Sequence, residues 1–128
     1  MKRLNTTGNR REYLIKGLKF NYDNLNDLLY VYKENSSVYA NVVIGDFHVE
    51  FSKEWQVVGM EILNASDLLG EYDVSKDMLE NIKKIEIKIV NRDNSLLIFL
   101  MIASLADVER AVPITMNNFE SPIMQALQ

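Results

Sequence analysis

One stretch, residues 57–66, constrains the fold more than any other. It reads Val-Val-Gly-Met-Glu-Ile-Leu-Asn-Ala-Ser. Val58, Met60 and Ile62 alternate with Val57, Gly59, Glu61 and Leu63, so two rows of side chains point to opposite faces of a buried strand. Glu61 is the only charge in the run. The strand leads directly into a helix start: Asn64 or Ser66 offers a side-chain oxygen as cap, and Asp67 follows Asn64 at capping-box spacing. Gly59 inside the strand marks a bulge or a close approach.

Short runs with the same period of two surround this stretch. Tyr13–Tyr22 reads as a first strand, followed by the turn Asp23–Asp27 and a second strand Leu28–Tyr32. Val38–Ile44 and Phe47–Phe51 are divided by Gly45-Asp46, and Ser52–Gln56 reverses the chain into Val57. Two short helices are expected at Ser66–Gly70 and Ser75–Asn81, the second capped by Ser75. A second β section then opens with the alternating Lys84–Ile89 and turns at Asn91–Asn94. It continues through Leu96–Ala103, apolar on both faces, and ends in Asp107–Thr115, where Pro113 calls for an edge strand or a bulge. Ser121–Leu127 reads as a terminal helical turn. The expected class is α+β: about six or seven mostly antiparallel strands in two meander-like sections, with two short helices between them.

The chain has 128 residues, enough for one domain over 13–128 behind a basic arm at 1–12. A split near Glu71–Ser75 would leave a second half too small to bury its own core. Residues 1–19 carry six cations against Glu12, a local +5, which leaves −9 on the rest of a chain of net charge −4. Such an arm can touch nucleic acid. Lacking the aromatic or glycine interleaving of a single-strand binder, it reads more simply as a solvated terminus. There is no cysteine, so disulfides and thiolate metal sites are excluded. No apolar run approaches membrane-spanning length, and no secretory leader is visible, so a cytoplasmic protein is expected.

Two segments resemble a known family. Phe20-Asn21-Tyr22-Asp23 with Asp27–Val31 is similar to a Tyr-Asp motif before an Asp-x-Leu-Tyr-aliphatic strand. Val49–Ser66 is similar to an acidic strand and turn followed by Val-x-Gly-aliphatic-Glu-aliphatic-Leu-x-Ala-Ser. Over about 18–70 the chain resembles the uncharacterised family called domain of unknown function 2283. The part after residue 82 resembles the extension of longer, archaeal-type members. Trp55 stands where members usually have glycine, and Glu50 and Ser52 stand where aspartates are common. The resemblance implies no activity. Antitoxin-like members imply a protein-binding role.

Chemistry-bearing residues are few. Asp23, Asp27, Glu50 and Glu61 could gather to hold a hard cation or small ligand, although Asp23 and Asp27 also suit a turn and Glu61 a pairing role. The single histidine, His48, suits the wet face of a strand and cannot build a zinc site alone. No phosphate loop, nucleophile elbow or cation loop is present, so no enzyme and no cofactor are expected. Tyr22, Tyr30, Tyr32 and Tyr39 suit packing better than base stacking on an acidic body. The leading expectation is a non-enzymatic interaction module, a homodimer or the partner of a small protein. Its surface would be Trp55 with Leu96, Ile98, Leu100 and Ile102.

Overall fold

The computed structural model describes residues 11–92 and 95–117, with the side chains of Arg92, Ser95, Leu96 and 115–117 left undescribed. The arm at 1–10 and the helical turn at Ser121–Leu127 lie outside the described residues. Among the described residues there are nine strands and two short helices: β1 Arg11–Ile15, β2 Lys19–Asp23, β3 Leu28–Tyr32, β4 Ala40–Ile44, β5 Phe47–Phe51, β6 Val57–Leu63, α1 Ala65–Gly70, α2 Lys76–Glu80, β7 Ile82–Arg92, β8 Ser95–Ser104 and β9 Glu109–Asn117. The architecture is therefore β-rich, with more strands than the six or seven expected.

One extra strand arises at Gly17. The run Tyr13–Tyr22 is not continuous: Gly17 takes φ 70°, which a β-branched or bulky residue resists, and the chain changes sheets there. Its first half, β1, joins a four-stranded sheet in the order β1-β7-β8-β9. Its second half, β2, joins a five-stranded sheet in the order β2-β3-β6-β5-β4. Arg11 and Glu12, read as arm, are the first residues of β1.

All pairings are antiparallel. The two expected β sections are the two sheets, but the five-stranded sheet is not a plain meander: β6 returns to lie between β3 and β5. This central place is why residues 57–62 are almost wholly buried, with only Glu61 half-exposed. Each sheet buries one face in a common core. Leu29, Val31, Val49, Phe51, Met60 and Ile62 come from one; Ile85, Ile87, Ile98, Leu100, Ile102 and Val112 come from the other. Ala65 and Leu69 of α1 and Met78 and Leu79 of α2 close the same cluster. Fully burying an aliphatic side chain of this size contributes roughly 1.5–3 kcal/mol before chain entropy is counted.

The helix starts differ from each other. Ser75 caps α2 as expected, accepting the Met78 amide at 3.1 Å. Asn64 does not cap α1 with its side chain; it sits in the left-handed region at φ 52°. The cap comes from the β2–β3 turn instead. The Ala65 amide donates to the Asp27 carbonyl at 2.9 Å, and the Ser66 amide donates to the Asp27 carboxylate at 3.0 and 3.2 Å.

Candidate functional site

Trp55 occupies the reversal between β5 and β6. Its amide donates to the Ser52 carbonyl, and the Ser52 amide donates to the Gln56 carbonyl, both at 2.9 Å. This is a hairpin in which a β-turn is followed by one left-handed residue, normally glycine. Trp55 fills that place with φ 60°. Its indole meets Phe51 at 5.8 Å and Tyr39 edge-on at 6.0 Å between ring centroids. The half-buried ring also walls a cleft of about 390 Å³ that both sheets line. Arg11 and Lys33 bring two cations to it against Glu54, Tyr13 adds a second aromatic ring, and Ile89 and buried Asn91 come from β7.

The four acidic candidates do not converge. Asp27 is committed to structure: besides the Ser66 amide it accepts the Ser66 hydroxyl at 2.7 Å and the Tyr22 hydroxyl at 2.6 Å. Burial pushes the Asp27 carboxyl up, but the bonds from Tyr22 and Ser66 and the charge of Lys76 outweigh it, so its pKa lies below the ordinary value. Burial and then the bond to Asp27 push the Tyr22 phenol well above its ordinary value. Asp23 folds back on its own turn, accepting the Asn26 side chain at 2.8 Å and the amides of Leu25 and Asn26 at 3.0 and 3.1 Å; these bonds lower its pKa.

Glu50 and Glu61 lie elsewhere, on the outer face of the five-stranded sheet. There Glu61 faces Tyr30 on one side and His48 on the other, and Glu50 faces Gly59. Tyr30 donates to Glu50 Oε1 at 3.0 Å and stacks on Tyr32 at 5.1 Å. Burial, then this bond, pushes the Tyr30 phenol up to about 12. A Cβ on Gly59 would collide with Glu50 Oε1 and approach the Val31 carbonyl oxygen to 3.2 Å. Close approach of the Glu50 side chain and the Val31 carbonyl thus favours glycine at 59, one of the two roles its sequence allowed. Among the described residues no group of three or more His, Asp or Glu could hold a metal ion. His48 is half-exposed, as its alternation requires.

The apolar strand corrects the expected surface. Ile98, Leu100 and Ile102 are 0, 0 and 1% exposed: they face the opposite sheet and form core, so no partner reaches them. The side chain of Leu96 lies outside the described residues. The accessible row of β8 is the other one, Leu97, Phe99 and Met101, all half-exposed. Leu96–Ala103 is apolar in both rows, so alternation alone could not say which faced inward. The residues missed by sequence reasoning are the cleft walls Arg11, Tyr13 and Lys33, far apart in the chain and joined only by the packing of two sheets.

Residues 19–66 match the model of a family described as a protein of unknown function (DUF2283). An uncharacterised protein of Methanocaldococcus jannaschii is 41% identical over 70 residues, which cover 54% of this chain and 58% of that protein. The chain thus matches about 58% of the length of that curated relative. No solved structure matches the chain significantly. The resemblance read from the Tyr22-Asp23 and Val57–Ser66 segments is borne out. Its span is structural: it begins on the first residue of β2 and ends at Ser66, enclosing the five-stranded sheet and the start of α1. Tyr22 and Ser66, both inside it, donate to Asp27, also inside it, so these three matched residues form a fold clasp. Among the described residues no helix is long and apolar enough to cross a membrane.

Proposed function

We propose that the protein is a non-enzymatic interaction module whose docking site is the cleft beside Trp55. The observation that supports this reading is the position of Trp55 itself. A left-handed residue other than glycine costs roughly 1–2 kcal/mol, and here the cost falls on the largest side chain at the mouth of a cleft. Large aromatic anchors beside arginine are the groups that dominate protein interfaces. The described lining pairs the aromatic rings of Trp55 and Tyr13 with the apolar Leu14, Ile15, Val57 and Ile89, a surface suited to contact with another chain. Arg11 and Lys33 favour an acidic side chain, and Trp55 with Ile15 and Val57 favours an apolar neighbour to it. The partner segment is therefore acidic and apolar in composition.

The test is selection of random peptides on the immobilised full chain. Acidic-apolar sequences should be enriched, and the enrichment should vanish with Trp55→Gly and with Arg11→Glu/Lys33→Glu. Enrichment that ignores all three substitutions, or none at all, overturns the reading. In its antitoxin-like form the partner is a small toxin-like protein encoded next door. Failure of that product to co-purify removes this form alone.

A further inference from the structure

Four strands form the edges of the two sheets: β1 and β9 of one, β2 and β4 of the other. An edge presents unpaired peptide groups that template another strand, and proteins blunt such edges with charge or proline. Three of the four are blunted. β1 carries Arg11 and Glu12, β2 carries Lys19 and Asp23, and β9 carries Glu109, Arg110 and Pro113. β4 carries none of these devices: it reads Ala-Asn-Val-Val-Ile. The uncharged run extends from Asn35 to Gly45 in a chain that is 25% charged. Val38, Tyr39 and Val43 within it are 49, 61 and 60% exposed; β4 approaches β9 of the other sheet, but among the described residues no strand pairs with its outer side.

We propose that β4 is a homodimer interface: β4 of one copy pairs antiparallel with β4 of a second, joining the two five-stranded sheets into one. A two-fold axis at Val42 sets Val42 against its copy, Asn41 against Val43 and Ala40 against Ile44. Every pair is uncharged, and apolar and polar rows stay on their own faces because the period of two is preserved. The acidic body selects this place. A second copy brings the same excess of negative charge, and residues 38–45 are where a solvent-facing strand and its lead-in add none of it. The pairing also closes. Each copy uses the one edge strand among the described residues that carries no charge or proline, and the blunted edges stop further growth, so the product is a dimer and not a fibre.

The test is the solution mass of the full chain by sedimentation equilibrium, from low to high micromolar concentration. The mass should approach twice 14.8 kDa. Asn41→Lys/Val43→Lys places like charges across the axis on solvent-facing positions and should return the mass to one chain with an unchanged circular dichroism spectrum. Lys84→Glu, at an exposed position of β7 on the other sheet, should leave the dimer intact. A wild-type chain that stays monomeric throughout overturns the proposal, and so does a dimer that survives Asn41→Lys/Val43→Lys. A monomer that dimerises only after residues 118–128 are removed also overturns it, since the edge would then belong to the chain's own terminus.

Discussion

Asp27 holds Ser66 across 39 positions of sequence, taking its hydroxyl at 2.7 Å and its amide at 3.0 and 3.2 Å. One carboxylate thereby ties the β2–β3 hairpin to the start of α1 and does the work of an N-cap that Asn64 leaves undone. Asp27→Ala should cost about 1–2 kcal/mol, the scale of a lost cap. Tyr22→Phe and Ser66→Ala should each cost about 1 kcal/mol. Either should cost much less in the Asp27→Ala background, because they share that partner. Urea midpoints with constant slope measure this; full additivity would show that the three bonds are not one clasp.

The same carboxylate sets an acid limit. Its pKa is below the ordinary 3.8, so the folded state binds the proton less well than the unfolded state. The stabilisation is complete above 3.8 and is lost as pH falls through the lower folded value. Asp23 acts in the same direction. Melting temperature followed down from pH 5 should fall less steeply for Asp27→Asn than for the wild type. Parallel curves would sink the assignment.

Trp55 separates conformational cost from packing. Trp55→Ala and Trp55→Gly lose the same contacts with Phe51 and Tyr39, but only alanine retains a Cβ in the left-handed region. The glycine variant should therefore be the more stable of the two by roughly 1 kcal/mol. Equal stabilities would mean that the turn relaxes out of the left-handed conformation.

Gly59 and Glu50 form a steric pair on the outer face. Gly59→Ala should destabilise by about 1–3 kcal/mol, the range for overpacking. Adding Glu50→Ala should recover much of the loss, leaving the part due to the Val31 carbonyl. No recovery in the double variant would place the whole effect on the backbone.

Neighbours on β8 should behave oppositely. Leu100→Ala removes core and should cost about 2–5 kcal/mol. Phe99→Ser, on the half-exposed row, should cost clearly less. A reversed order in chemical denaturation would contradict the inward assignment of the even-numbered row.

Period-two alternation, turn residues and the Ser75 cap are local properties, and the sequence by itself determined them: most strands, both short helices, the edge place of Pro113 and the burial of 57–62. The family resemblance, and not local chemistry, marked Trp55 as unusual in its turn. It could not say that Gly17 sends one apparent strand into two sheets, because a single positive φ redirects the chain without changing the hydrophobic pattern. Nor could it orient Leu96–Ala103, since a strand apolar on both sides carries no internal label for the core. Tertiary structure alone decided that Asp27 serves Ser66 while Glu50 and Glu61 lie on another face. Hydrogen bonds between residues far apart in sequence follow from sheet order and register, and those are fixed by how two apolar faces close on each other.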